Sequence, residues 1–389
     1  MKVLRHLFVA GFFLALLISG SLAAQELIPD TEVLMKAKVL AIVSQEVRDI
    51  PGTDTAATYQ TIRVFILDGP EKGKDITIEN DFLSLKEGEV FYLRHITNQL
   101  GGSDQYSVVE PYRLPWVVGV VLLFIATVLL IGGTQGARAL ASLVLSLTVI
   151  FYVLLPGITS GYSPVLMSMG IAALIVVIGS YITHGFNRTT TSAVIGMILA
   201  IGVTGLLAFI TVSGARLSGF GSEEAVYLNI NTRGSIDFAG LLLGGILIGL
   251  LGILYDAAIG QAVAVEEMVR IGPHLSRRYL FTRALRIGRE HIGALVNTLA
   301  IAYVGASLPL LLLVYSGASA GLDFMINSEV FATEIVRSAI GSIGLILAVP
   351  LSTLAAVFML HRREMPSSSA VIGDERHLVE ESISSHSHM

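Results

Sequence analysis

An aspartate within an apolar segment is the residue of this sequence that points most directly to chemistry. Asp256 lies near the end of segment 238–260, and the apolar helical pattern continues beyond it to Glu266 and Glu267. Asp256 and Glu267 are eleven residues apart, three helical turns, so their carboxylates share one helix face. An ionisable group at membrane depth is costly unless it faces protein, water or a partner, so we interpret Asp256 as a cation site or proton relay. The alternative is that the span ends near Tyr255 and that Asp256 is a solvated boundary residue.

A second polar pair lies in the next apolar segment, 292–315. Asn297 and Thr298 follow His291 by about two helical turns. If this helix packs against the one that carries Asp256, the two polar positions lie at similar depth and form a pocket in the inner third of a helix bundle. The alternative for Asn297 is an interhelical hydrogen bond without a role in substrate binding.

Several enzyme classes lack their signatures in this sequence. It contains no Walker A motif, no His-Glu-x-x-His and no Gly-x-Ser-x-Gly. The absence of cysteine excludes disulfides, thiolate metal sites and a cysteine nucleophile. We therefore expect no enzymatic activity, no cofactor and no metal site. The net charge of −5 gives no reason to expect binding to nucleic acid.

The most basic part of the sequence lies between two apolar segments. Six arginines and no acid occur between Arg270 and Arg289. Because Lys and Arg near span ends resist translocation, this block is expected in the cytoplasm. The pattern over 279–291 predicts a basic amphipathic helix at the inner leaflet, attracted to anionic lipid, with an inner anion or nucleotide site as the alternative. The residues expected to anchor the protein to lipid and fix its topology are Arg277, Arg278, Arg283, Arg286, Arg289 and, at the first water–lipid boundary, Trp116.

The elements that must position these residues are membrane spans. The chain has 389 residues, of which 53% are hydrophobic and only 14% charged, unlike a soluble protein. After Pro115 the apolar residues form pieces of about 20 residues, the length of a membrane-spanning helix. Pro309 and Pro350 interrupt the last two pieces and free backbone carbonyls there. The seven predicted spans are 114–131, 139–155, 165–182, 192–212, 238–260, 292–315 and 335–360.

The sequence before the spans has a different character. Residues 1–23 have the basic start, apolar run and small cleavage-site residues of a signal peptide, with an uncleaved anchor as the alternative. Residues 24–113 are acidic and rich in strand patterns, which predicts a small extracytoplasmic β-domain, OB-like in strand number. Its predicted strands are 35–44, 59–67, 75–79, 90–95 and 105–109. Residues 114–360 form a polytopic α-helical membrane domain, and the polar residues 361–389 form a disordered cytoplasmic tail.

The motifs in the second half of the chain resemble a known family. They are Gly249-Leu-Leu-Gly252-Ile-Leu-Tyr-Asp256, Glu266-Glu267, Ile287-Gly288-Arg289-Glu290-His291-Ile292-Gly293, Asn297-Thr298-Leu299 and Gly305-Ala306-Ser307-Leu308-Pro309. This pattern resembles the YibE/F-like family of bacterial multi-pass membrane proteins. The resemblance implies a permease or transporter of unknown substrate and supplies no catalytic residues.

Two functional classes are open at this point. In an ion- or proton-coupled transporter, Asp256 would bind or relay the cation, Asn297 and Thr298 would line the path, and Glu266 or Glu267 would form the inner mouth. A membrane-anchored binding or scaffold protein would instead capture a partner with its β-domain. The expected partners are the lipid bilayer, anionic lipid at its inner leaflet and an unidentified solute or ion, and homo-oligomer formation is open. The expected location is the plasma membrane, with the N-terminal domain outside and the C-terminus in the cytoplasm.

Overall fold

The structure is a computed structural model, and it describes residues 31–49, 56–81, 83–97, 104–316 and 321–361. The predicted signal peptide at 1–23 and all of the predicted tail except His361 lie outside these residues. The chain divides into two compact units after Ile131, later than the domain boundary expected at 113. Each unit is described separately.

The first unit contains a five-stranded antiparallel sheet, which confirms the five predicted strands. The strands are β1 (Thr31–Asp49), β2 (Ala56–Ile66), β3 (Asp75–Asn80), β4 (Val90–Thr97) and β5 (Asp104–Pro111), in the order β3-β2-β1-β4-β5. The predicted β1 is shorter than the observed strand, which pairs with β4 through residues 31–38 and with β2 through residues 37–49. Register shifts after Val39 and Ile42 mark bulges, which bend a strand and let it serve two parts of a curved sheet.

One face of the sheet forms the core of this unit. Alternate side chains are buried along each central strand, as the period of two requires. The buried apolar residues include Met35 and Val39 of β1, Ile62 and Val64 of β2, and Leu93 of β4. The sheet therefore has a hydrophobic core of its own.

A long apolar helical stretch follows the sheet. It comprises α1 (Leu114–Val149), a π-helical turn (Ile150–Leu154) and α2 (Leu155–Thr159). Both of the first two predicted spans fall within it. Gly133 interrupts α1 with non-helical backbone (φ 52°, ψ −132°), which only glycine adopts without strain.

The remaining helices belong to the second unit. They are α3 (Pro164–His184), α4 (Arg188–Gly214), α5 (Glu223–Asn231), α6 (Phe238–Ile271), α7 (Arg277–Ala306), α8 (Leu308–Ser316), α9 (Leu322–Asn327) and α10 (Glu329–Leu360). Within the described residues, five helices are long and apolar enough to cross a membrane, or six if α7 and α8 form one span bent by 65°. The protein is therefore an α-helical membrane protein with a β-domain. The predicted count of seven spans stays a prediction.

Small residues allow the central helices α4, α6 and α10 to approach closely. A Cβ added to Gly196 of α4 would lie 2.5 Å from the Cα of Ser352 in α10, and one added to Gly344 of α10 would lie 2.7 Å from the Oγ1 of Thr204. Such contacts are typical of helix packing in membranes, where dispersion between close backbones replaces the hydrophobic effect. Pro350 lies within α10, which continues to Leu360, so only Pro309 coincides with a helix break.

Candidate functional site

Over residues 241–260, the face of α6 that the rest of the chain leaves uncovered consists of glycine and one aspartate. Its members are Gly245, Gly249, Gly252, Asp256 and Gly260, all exposed at spacings of three or four residues. At 100° per residue they form one narrow stripe. A Cβ added to Gly245, Gly252 or Gly260 would meet no atom within 4 Å. These five residues therefore form an open stripe of low relief along α6, which we call the glycine groove.

The opposite face of α6 is packed. Leu247, Leu250, Leu254 and Ala258 are each at most 1% exposed. Asp237 caps the start of the helix, because its Oδ1 accepts a hydrogen bond of 2.9 Å from the N–H of Gly240. The groove therefore lies on a helix held firmly by its other side.

Tyr303 of α7 borders the groove. Its hydroxyl is 3.8 Å from the position that a Cβ on Gly249 would take, and its Cε2 is 3.8 Å from the corresponding position on Gly341 of α10. Asp256 is seven residues from Gly249, and Asn297 is six residues from Tyr303 on the antiparallel helix. At 1.5 Å per residue these intervals are about 10 Å and about 9 Å, and the predicted similarity in depth of Asp256 and Asn297 stays a prediction.

The structure does not bring Asn297 and Asp256 together. Ile292, Leu295 and Val296 pack toward α6 and α10, whereas Asn297 is exposed about 140° around the helix from Ile292. Thr298 is exposed and donates a hydrogen bond of 2.9 Å to the carbonyl of Ala294 in its own helix. The α7 residue that interacts electrostatically with Asp256 is His291.

The acids beyond Asp256 lie on the same helix, which continues to Ile271. Glu267 accepts a hydrogen bond of 2.5 Å from Nη2 of Arg270, and Glu266 is exposed. Helical structure therefore extends past Asp256, as the apolar pattern predicts.

The basic segment differs from the prediction in one respect. The sequence predicts a separate amphipathic helix over 279–291, but α7 runs without a break from Arg277 to Ala306, because nothing in this segment ends a helix. Its buried positions there are Leu280, Ala284 and Gly288. The five arginines proposed as anchors, namely Arg277, Arg278, Arg283, Arg286 and Arg289, are all exposed, and so is Trp116 of α1.

A cavity of about 670 Å³ lies at the start of α6, the end of this helix that is remote from the basic segment of α7. It opens between α5, α6 and α10 at the break between α7 and α8, and we call it the broken-helix cavity. Its lining includes Gly245, so the glycine groove reaches it. Its polar residues are Ser222, Glu224, Ser307, Thr333, Glu334 and Arg337.

Three of these polar residues form a connected set. Arg337 donates a hydrogen bond of 2.8 Å from Nη1 to Oε1 of Glu334. Ser307, at the helix break, donates one of 3.2 Å to Oε2 of the same carboxylate. The cavity therefore contains an ion pair beside a broken helix, an arrangement that can bind polar solutes.

The comparison with known proteins gives the family. A family model described as YibE/F-like protein matches residues 120–362. The chain belongs to the YibE/F-like family. The matched region of this YibE/F-like protein contains the whole glycine groove and the whole broken-helix cavity, and it leaves the β-sheet outside. No curated protein and no solved structure matches the chain.

Sequence reasoning identified Asp256 in this YibE/F-like protein but missed the cavity. Glu334 and Arg337 are three residues apart on one helix, and this spacing resembles an ordinary surface ion pair. The sequence did not indicate Tyr303 as a site residue, because an aromatic residue in an apolar segment is usual in helix packing. The usable signal was Pro309, which follows Ser307 by two residues and lies at the 65° bend.

Proposed function

We propose that this YibE/F-like protein is a permease whose solute path follows the glycine groove, coupled to a cation or proton through Asp256. The observation that supports it is the open stripe on α6, which begins at the broken-helix cavity and reaches Asp256. Glycine leaves room beside a helix backbone, and Asp256 is the titratable residue on the stripe. An ionisable group at such a position marks an ion or proton pathway more often than a lipid contact.

In the coupling step, Asp256 and the acids further along α6 have different roles. The carboxylate of Asp256 binds the cation or proton. Glu266 and Glu267 lie further along α6 and provide the inner mouth. Asn297 and Thr298 are exposed on α7 and are not part of this path.

The proposed topology has seven spans in the plasma membrane. A helical stretch of 46 residues is about 69 Å long at 1.5 Å per residue, more than twice the hydrocarbon thickness of a bilayer. If the long stretch is divided at Gly133 into two spans, the five apolar helices give six spans. The bent pair of α7 and α8, counted as one span, gives the seventh. The exposed arginines at the start of α7 favour the cytoplasm for that end, with anionic lipid as their partner and the β-domain outside.

The test is flux into liposomes that contain the full-length protein and a trapped pH-sensitive dye. Pools of amino acids, sugars, organic acids and metal ions are added outside. We expect one pool to cause a protein-dependent pH change that Asp256→Asn abolishes and Asp256→Glu partly retains. Glu290→Gln, an exposed acid of α7, is the matched control and should leave the flux unchanged. Equal flux with wild type and Asp256→Asn over a range of pH gradients would show that Asp256 has no coupling role.

A second candidate function rests on the β-domain. The sheet belongs to a separate compact unit and has its own core, so it can present a binding surface while the helices anchor it. Because β1 pairs with both β2 and β4, the strand order fits an OB-like half-barrel, a shape that binds diverse ligands. A strain that lacks the protein is supplied with residues 24–113 alone, exported from the cytoplasm. If this strain regains the wild-type phenotype, binding is the essential activity and transport is not.

A further inference from the structure

We infer that the broken-helix cavity binds a small zwitterion with an apolar group, the chemistry of an amino acid or short peptide. The inference rests on the proposed function only in taking this solute as the one transported, because binding itself requires no flux. Four features of the cavity carry it: an arginine with free donors, a carboxylate with free acceptor capacity, an orphaned hydroxyl and an apolar wall.

Arg337 offers a binding position for a carboxylate. A guanidinium has five N–H donors in a planar fork that matches a carboxylate. Arg337 uses one of them, from Nη1 to Glu334, and within the described residues its other N–H groups have no acceptor. Its side chain is 34% exposed, so these donors are partly withdrawn from water and remain accessible from the cavity.

Glu334 offers the complementary position for an ammonium group. An ionised carboxylate has about four lone-pair positions. Glu334 accepts one hydrogen bond on Oε1 and one, from Ser307, on Oε2. Glu224 also lines the cavity. With both acids and Arg337 ionised, the cavity carries one net negative charge, which disfavours a simple anion and suits a solute that brings its own positive charge.

Thr333 provides the independent sign of a missing ligand. The residue is only 7% exposed, and its hydroxyl has no hydrogen-bond partner within the described residues. Its Oγ1 lies 3.5 Å from the position of a Cβ on Gly221, which also lines the cavity. A buried hydroxyl without a partner costs free energy. The hydroxyl is covered as it stands, and rotation of the Thr333 side chain toward the cavity would let a polar atom of a bound solute relieve this deficit.

The remaining wall sets the size and polarity of the solute. Phe238, Leu241, Leu242, Leu310 and Val330 line the cavity and suit an apolar side group. A volume of about 670 Å³ lies within the usual range of small-molecule sites and admits an amino acid or a short peptide.

The test is equilibrium binding to the full-length protein in detergent, without a gradient. The twenty common amino acids and a set of apolar dipeptides are screened by thermal shift, and the strongest binder is titrated as a radiolabelled probe. We expect saturable binding of at least one of them. Two analogues of that probe, one without its carboxylate and one without its ammonium group, should each bind at least about tenfold more weakly than the probe.

Variants connect this binding to the cavity. Arg337→Gln and Glu334→Gln should each weaken binding at least about tenfold, whereas Arg216→Gln, an exposed outer-loop control, should have no effect. Thr333→Val keeps the shape of the side chain and loses no internal hydrogen bond, so it should retain the melting temperature yet weaken binding by about three- to tenfold. Binding is measured without a gradient, so loss of flux in the liposome assay with binding intact would contradict the proposed coupling role and leave this inference standing.

Three results would overturn the inference. The first is no saturable binding by any probe to folded protein. The second is equal binding by an analogue that lacks one of the two charges. The third is unchanged affinity in Thr333→Val and Arg337→Gln, which would place the bound probe elsewhere.

Discussion

The hydroxyl of Tyr303 lies 3.8 Å from the position that a Cβ on Gly249 would take, one helical turn from the broken-helix cavity. One turn beyond Gly249, an added Cβ on Gly252 would meet no atom within 4 Å. An aromatic side chain of α7 thus borders the glycine groove at one level, while the next level toward Asp256 is open. This relationship makes Gly252, which lies between Tyr303 and Asp256, a position at which a side chain can fill the groove without disturbing the packing.

We predict that Gly252→Leu reduces flux strongly and leaves the fold intact. The added side chain enters open space, and replacing glycine within a helix stabilises it by up to about 1 kcal/mol. Flux into proteoliposomes and the melting temperature are the two measurements. Gly202→Leu is the matched control, because Gly202 of α4 is also exposed and faces open space but lies outside the groove. Similar flux in the two variants would show that no solute passes Gly252.

Gly196→Ala should destabilise the helical unit by about 1–3 kcal/mol, the usual cost of overpacking. The new Cβ would lie 2.5 Å from the Cα of Ser352, and backbone cannot move aside as a flexible side chain can. The measurement is unfolding in detergent, with Gly202→Ala as the control that should be neutral or stabilising. Equal stability of the two variants would mean that α4 and α10 do not approach as closely as the structure indicates.

The pH dependence of the β-sheet unit should depend on Glu71. Burial alone would raise the pKa of Glu71, but hydrogen bonds from Lys74 and Tyr106 and the nearby His95 lower it below its usual value of 4.5. A carboxyl group with a lowered folded-state pKa stabilises the fold above its unfolded pKa, and this contribution is lost as the pH falls through the folded value. We therefore expect the wild type to lose stability below about pH 4.5 more steeply than Glu71→Gln.

Hydrogen exchange of residues 60–66 and 90–96 in the full-length protein measures this effect. Glu79→Gln is the control, because the Glu79 side chain is exposed and its carboxylate has no hydrogen-bond partner within the described residues. If Glu71→Gln and wild type lose protection in parallel as the pH falls, the hydrogen bonds to Glu71 do not stabilise the sheet.

The sequence predicted elements better than it predicted the faces of helices. All five strands were placed because the period of two in segments such as Ile62–Val64–Ile66 is a local signal. Asp256 was identified because an acid in an apolar helix stands out. The side of α7 on which Asn297 lies could not be predicted, because this part of the helix is largely apolar and only tertiary packing shows which side meets α6. The cavity depends on the 65° bend, whose geometry a proline alone does not specify.

The predicted orientation can be tested with single cysteines, because the natural chain has none. Thr77 of β3 and Arg278 of α7 are both exposed. In intact cells, Thr77→Cys should react with an impermeant thiol reagent, and Arg278→Cys should react only after the membrane is permeabilised. Reaction of both from outside would contradict the cytoplasmic placement of the basic segment.

The central claim is that the glycine groove is a water-accessible path, and cysteine accessibility tests it most directly. Gly245→Cys, Gly252→Cys and Gly202→Cys are placed singly in the full-length protein in membranes and treated with a charged, membrane-impermeant thiol reagent. The account predicts that Gly245→Cys and Gly252→Cys react. It predicts no reaction of the exposed Gly202→Cys, which we expect to face lipid because it lies outside the groove. Failure of Gly252→Cys to react, with Gly245→Cys labelled, would show that the groove is closed or filled with lipid and would contradict the proposed path.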